Sequence, residues 1–218
     1  MINTDKYINS RLRPFEIENK VSELQDFFLE HRFSHFPITQ NDIYLGSISA
    51  EDVETFESDH KIENYKYTFE GFFVREDTNW LDVLEKFAQN QTDIMPVLSH
   101  DNKYLGFYHL SDIVQIFSET SFLREPGGII IVEKNISQYT SSEIAQIIES
   151  NGHKLLGMFI SEIDSSVRVY IKVNTENVNE ILQSFRRYQY NILSNHSEDI
   201  YKQSLKERLD YIDKYLNI

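Results

Sequence analysis

The chain has 218 residues, with 21 Lys+Arg against 35 Asp+Glu for a net charge of −14, and no cysteine. A chain of this length buries about 70% of its unfolded surface, so it needs no staple to fold, and the absent cysteines exclude disulfides, thiolate nucleophiles and Cys-ligated metal centres. Residues 1–120 carry 10 basic and 22 acidic side chains, a surface that repels nucleic-acid phosphates and anionic lipid. The longest strictly aliphatic run, Ile129–Val132, is far short of the roughly 20 residues of a membrane span. The N-terminus MINTDKYINSRLRPF has no apolar h-region, so no signal peptide is expected and a cytoplasmic location is.

In chain order, Val21, Leu24, Phe27 and Phe28 fall at helical spacing and predict an amphipathic helix. The run Phe36-Pro37-Ile38 predicts a short strand beginning near a proline, where a missing N–H is cheapest. A polar turn at Gln40-Asn41-Asp42 leads into a strand through Leu45-Gly46, and Asp52 opens a further helix. The same pattern then returns. Trp80, Val83, Leu84 and Phe87 repeat the helix and Met95-Pro96-Val97 the strand at an offset of 59; Leu105-Gly106 and Asp112 repeat the rest at 60. Asp77-Thr78 stands where the N-cap of the second helix is expected. The two repeats are placed at 1–60 and 61–121.

Residues 122–128 contain Arg124-Glu125-Pro126-Gly127-Gly128 and read as a linker. A second unit, 129–195, follows. Ile129–Glu133 predicts a strand, and Tyr139–Glu143 holds N-cap candidates for a helix with Ile144, Ile147 and Ile148 inward. Lys154–Ile163 and Val167–Val173 alternate as a hairpin around Asp164-Ser165-Ser166. Asn174-Thr175 starts another helix, with Val178, Ile181, Leu182 and Phe185 inward, and Tyr190–Leu193 predicts a last strand. The order βαββαβ is that of the ferredoxin-like plan. Residues 196–218 predict a final helix with Tyr201, Leu205, Leu209, Ile212 and Leu216 on one stripe, docked on its own chain or on a second subunit.

The repeated pattern of amphipathic helix, apolar-Pro-apolar strand, Leu-Gly strand and Gly-x-x-(Ser/His)-x-x-Asp resembles the CBS domain, whose tandem pairs form Bateman modules. The second unit resembles an ACT domain. The whole resembles CBS–CBS–ACT regulatory proteins of the acetoin-utilisation type. The fold class this implies is α+β: a tandem CBS pair, a ferredoxin-like (βαββαβ, ACT-like) domain and a C-terminal helix. In CBS pairs an adenine nucleotide or an adenosyl compound such as S-adenosylmethionine lies in clefts between the repeats. Carried over residue by residue, Asp52 and Asp112 would chelate ribose hydroxyls, a role that suits a pure acceptor facing two OH donors. Ser49 matches the hydroxyl residue of that motif, whereas its counterpart is His109. The resemblance further implies that Ser34, His35 and Phe36, and Asp93, Ile94 and Met95, line adenine slots. A single aspartate at such a place is equally a helix N-cap.

Arg11, Arg13, Lys66 and Arg75 lie in the segments that precede each helix, the places from which a phosphate could be reached. An uncharged or cationic adenosyl ligand suits the acidic module better. ACT domains that bind amino acids use a glycine in the first strand–helix loop; here the loop is Lys134-Asn135-Ile136-Ser137-Gln138. His31 and His35 are four apart but have no third ligand, and the remaining histidines sit near turns without an evident partner. No nucleophile signature occurs. The expected protein is a non-enzymatic regulator, a homodimer with no required cofactor and no catalytic or metal-ligating residue. Alternatives are a ligand-free dimeric interaction scaffold, or an amino-acid sensor working through the ACT-like unit.

Overall fold

Helical periodicity followed by two short β-rich runs makes a helix–strand–strand unit, and the structure, a computed structural model that describes residues 4–194, builds it twice. The first copy contains β1 (Phe15–Glu16), α1 (Val21–Glu30), β2 (His35–Gln40), β3 (Ile43–Ser49) and α2 (Ala50–Glu54). The second contains β4 (Val74–Arg75), α3 (Trp80–Asn90), β5 (Ile94–Leu98), β6 (Tyr104–His109) and α4 (Leu110–Ser118). Their sheets have matching orders, β1-β2-β3 and β4-β5-β6, each with a parallel edge and an antiparallel hairpin. The registers coincide as well: Phe15 pairs with Ile38 where Val74 pairs with Val97, and Pro37 faces Ser47 where Pro96 faces Phe107. Even the bulge recurs, after Ile38 and after Val97.

Local chemistry explains the boundaries. The β2–β3 turn places Asn41 and Asp42 at φ 51° and 65°, the two consecutive left-handed residues that a two-residue hairpin demands. The N-cap of α3 is Asn79, whose side chain accepts the Leu81 and Asp82 N–H groups at 3.0 and 3.1 Å. The expected cap at Asp77-Thr78 is thereby corrected. Thr78 Oγ1 instead accepts the Arg75 N–H, closing the turn one residue earlier.

The two copies exchange their leading segments. A turn of 3-10 helix at Asp5–Tyr7 leads to Asn9, which pairs with Phe107 of β6 through hydrogen bonds of 2.8 and 3.1 Å. Tyr7 and Ile8 pack on the core of the second copy. Reciprocally, the 3-10 stretch Ile62–Thr68 leads to Glu70, which pairs with Ser47 of β3 at 2.8 Å in both directions, and Phe69 packs on the first copy's core. This exchange explains the Leu-Gly motif. A Cβ on Gly46 would lie 2.9 Å from Phe69 Cβ, and one on Gly106 would lie 2.6 Å from the Asn9 carbonyl oxygen. Only glycine lets the visiting strand lie so close.

Between the copies, Phe36, Ile94 and Phe107 are fully buried and are packed by Phe15, Phe27 and Phe33. The hairpins also meet at their tips, where Tyr104 N–H donates to the Asp42 carbonyl at 3.0 Å.

The chain divides between Ser118 and Glu119. The second unit begins with α5 (Ser121–Arg124), followed by β7 (Ile129–Asn135), α6 (Ser141–Ser150), β8 (Leu155–Ile163), β9 (Ser166–Val173), α7 (Asn179–Arg187) and β10 (Asn191–Ile192). Its four-stranded sheet has the order β10-β7-β9-β8, every neighbour antiparallel. Ile130 and Val132 of β7 and Val167, Val169 and Ile171 of β9 form one core with Ile144, Ile147 and Ile148 of α6 and Ile181, Leu182 and Phe185 of α7. Helix α7 starts at Asn179 rather than at Asn174-Thr175, because Thr175 Oγ1 accepts the Asn177 N–H and its carbonyl the Gly128 N–H. Residues 122–128, expected as a linker, include the last three residues of α5 and are tied to this unit: Lys172 Nζ donates to the Gly127 carbonyl at 2.8 Å and Val173 N–H to that of Gly128 at 3.0 Å. The helix expected at 196–218 lies outside the described residues.

Candidate functional site

Each expected aspartate sits in the first turn of a short helix that follows a glycine-containing strand. Ser49 caps α2, its Oγ accepting the Asp52 N–H at 3.0 Å. In the second copy His109 does the equivalent work: its Nδ1 accepts the Ser111 N–H at 3.2 Å and lies 2.7 Å from Ser111 Oγ. The departure from the hydroxyl pattern therefore keeps the cap with a ring nitrogen. Asp52 and Asp112 are both half-buried.

The residues before the prolines divide into two sets. Phe36, Ile94 and Met95 have no exposed surface, so their side chains are core. Ser34 and Asp93, at matching positions of the two copies, bind one another: the Ser34 N–H and Oγ–H donate to Asp93 Oδ1 at 2.9 and 2.7 Å, and the Asp93 N–H donates to Ser34 Oγ at 3.1 Å. His35 is buried beside them, its Nδ1 3.0 Å from Ser34 Oγ and its Nε2 3.1 Å from Glu70 Oε1 on the exchanged segment. Ser34 and Asp93 also line an apolar pocket of about 610 Å³ with Leu84, Phe87 and Leu110.

Asp112 lines a separate pocket of about 320 Å³, within the size range of small-ligand sites. Lys6, Tyr7, Ile8 and Arg11 of the exchanged N-terminal segment form its other wall. The structure thus brings Asp112 together with two cations from more than 100 positions away in sequence. Of the cations singled out in the sequence, Arg11 lines the pocket of Asp112. Arg13 lines a different pocket with Glu16, Asp42 and Tyr104, and Arg75 is spent on the Ser99 carbonyl and Asn102 Oδ1. Lys6 escaped notice, although Lys6-Tyr7 and Lys66-Tyr67 recur at the offset of 60.

The clefts are not equivalent. Asn9 and Glu70 hold matching strand positions, so by register the counterpart of Arg11 is buried Phe72 and that of Lys6 is Tyr67, with the exposed Lys66 one residue before it. A further asymmetry concerns two buried phenols. Burial pushes Tyr44 and Tyr104 well above the usual tyrosine range. Tyr44 OH lies 2.9 Å from Ser47 Oγ and donates to the Phe72 carbonyl at 2.9 Å. Tyr104 OH is buried with no hydrogen-bond partner among the described residues; Phe107 stands where Ser47 does.

Comparison with known proteins agrees with this architecture. Residues 70–119 match the family model for the CBS domain. A CBS domain pair/ACT domain protein from Thermotoga maritima aligns over 54% of this chain and 98% of its own, with 20% identity and a TM-score of 0.50. The CBS domains of a transcriptional regulator from Streptococcus pneumoniae align over 53% of this chain and 98% of theirs, at 17% identity and a TM-score of 0.47. CBSX2, solved in complex with AMP, aligns over 53% of this chain and 95% of its own, at 14% identity and a TM-score of 0.44. The chain is a mixed α+β protein that contains a CBS-pair fold. Among the described residues, no helix is long and apolar enough to cross a membrane.

Proposed function

We propose that this chain is a non-enzymatic regulatory protein whose CBS pair binds an adenine nucleotide in the cleft at Asp112. The observation that carries this reading is the meeting of Asp112, Lys6 and Arg11 in one pocket. A carboxylate offers acceptors to the two ribose hydroxyls, and an ammonium and a guanidinium offer donors and charge to phosphate. The acidic composition favours an uncharged or cationic adenosyl ligand; the local pair of cations favours a nucleotide, and proximity outweighs net charge because salt screens distant surface charges within about 10 Å. His109, which caps the helix that carries Asp112, positions that aspartate. The first cleft, with buried Phe72 in place of Arg11, offers a phosphate less.

The second unit is read as ferredoxin-like and ACT-like, supported by its βαββαβ order and its β10-β7-β9-β8 antiparallel sheet. In this reading, binding changes the arrangement of the repeats and the change passes through Arg124–Gly128 to the second unit. It requires the nucleotide to prefer one arrangement of the repeats by a few kcal/mol.

Calorimetric titration of the full chain with AMP, ADP, ATP, adenosine and S-adenosylmethionine tests the reading. A single site for a phosphorylated ligand is expected, weakened at least tenfold in both Asp112→Ala and Arg11→Ala. Binding by none of the five, or binding untouched by both substitutions, refutes it.

A further inference from the structure

We propose that Glu57, Asp59 and His60, in the segment joining the two repeats, form a binding site for a divalent transition-metal ion such as zinc. One ligand atom from each of the three residues lies within 4.8 Å of the other two. His60 Nε2 and Glu57 Oε2 are 3.3 Å apart. Metal–ligand bonds of about 2.0–2.2 Å at a tetrahedral centre place two neighbouring donors roughly 3.3–3.6 Å apart. The imidazole and carboxylate therefore already span one edge of a coordination sphere. Asp59 is exposed, so a rotamer change brings its oxygen in at little cost.

The imidazole is oriented from outside the trio. Tyr65 stacks on Phe56 at 3.8 Å with the rings 8° from parallel. Its phenol oxygen accepts the Glu57 N–H at 3.1 Å and lies 3.0 Å from His60 Nδ1. With the ring proton on Nδ1, His60 donates to that oxygen, and the Nε2 lone pair faces the Glu57 carboxylate. The backbone is pinned as well: Val21 N–H donates to the His60 carbonyl at 2.9 Å and Ser22 N–H to that of Ser58 at 3.0 Å. The donor set of one imidazole and two carboxylates, with water completing the sphere, suits zinc or another ion that takes nitrogen ligands better than magnesium. The correction to the sequence reading is specific: His60 does have partners.

The trio immediately precedes the 3-10 stretch that carries Glu70 into β3, so the bound ion fastens the start of the exchanged segment. The experiment is a titration of the full chain with zinc chloride in non-coordinating buffer. It is followed by calorimetry and by NMR of the histidine side chains. One saturable site is expected, with the His60 ring signals shifting before those of the other six histidines. His60→Ala, and separately the pair Glu57→Gln and Asp59→Asn, should weaken binding at least tenfold, and Tyr65→Phe should weaken it roughly tenfold. Melting without metal checks that each variant folds, and the wild-type NMR readout needs no variant. Zinc binding unchanged in His60→Ala, or His60 signals that do not move at stoichiometric metal, overturns the proposal.

Discussion

Gly106→Ala isolates the strand exchange. The new Cβ would lie 2.6 Å from the Asn9 carbonyl oxygen and 2.6 Å from Ile8 Cγ2, on a residue whose φ is +146°. A side chain at that φ costs about 1–3 kcal/mol. Backbone oxygen cannot swing aside, so the N-terminal strand must withdraw. It then loses its two hydrogen bonds to Phe107, each contributing about 1 kcal/mol. The sum, about 3–5 kcal/mol, is a large part of the 5–15 kcal/mol that holds a typical domain. Gly71 is the matched control: nothing lies within 4 Å of a Cβ there, so alanine should be neutral or stabilise by up to about 1 kcal/mol. Urea unfolding gives the free energies, and amide exchange at Asn9 and Phe107 reports the strand itself. Because that strand carries Lys6 and Arg11, nucleotide affinity should fall in Gly106→Ala even where the variant remains folded. Stability within 0.5 kcal/mol of the wild type, with slow exchange kept at both amides, would refute the argument.

Other expectations concern the core, the buried polar groups and pH. Phe36→Ala empties a fully buried site between the repeats and should cost about 3–5 kcal/mol by chemical denaturation. Asp93→Ala leaves the Ser34 N–H and hydroxyl without their acceptor and should cost about 1–3 kcal/mol, whereas the double change with Ser34→Ala should cost less than the sum. In the second unit Lys134 Nζ holds both oxygens of Glu143 at 2.9 and 3.0 Å and lies 4.3 Å from the Tyr190 ring centre. Lys134→Ala should therefore destabilise by about 3 kcal/mol, while Lys134→Met with Glu143→Gln should recover much of it in thermal melts. Burial raises the pKa values of Tyr44, Tyr104 and Tyr190 in the folded chain. Unfolded tyrosines lose their protons near pH 10 while these keep theirs, so stability should be full below about pH 10 and fall above it, by up to about 1.4 kcal/mol per pH unit for each. Melting between pH 8 and 11 measures the slope, which should flatten in Tyr44→Phe with Tyr104→Phe.

Local pattern was sufficient to find the duplication. Val21–Phe28 and Trp80–Phe87 declare helices through period 3.6, Pro37 and Pro96 declare short strands, and the two-residue turn at Asn41-Asp42 is written in residues that tolerate positive φ. Such signals are short-range: each depends on neighbours a few positions away, and both copies carry them. The same holds for the βαββαβ order of the second half and for Asp52 and Asp112 at helix starts. The cap of α3 slipped by one residue to Asn79, because several adjacent side chains can offer an oxygen and only the chain's path selects one, and α7 begins several residues late behind Val178, which offers none.

Tertiary structure alone decided which copy each leading segment joins. Nothing in Ile8-Asn9-Ser10 says that Asn9 will pair with Phe107 rather than within its own repeat, since strand pairing across some 100 residues depends on the finished sheet edge. That choice puts Lys6 and Arg11 beside Asp112, Glu70 beside His35, and a buried phenylalanine where the first cleft would need an arginine. Residue types and spacing determined two similar halves and the aspartates in them. The exchange of strands, a long-range contact visible only after both sheets exist, decided which cations stand near which aspartate.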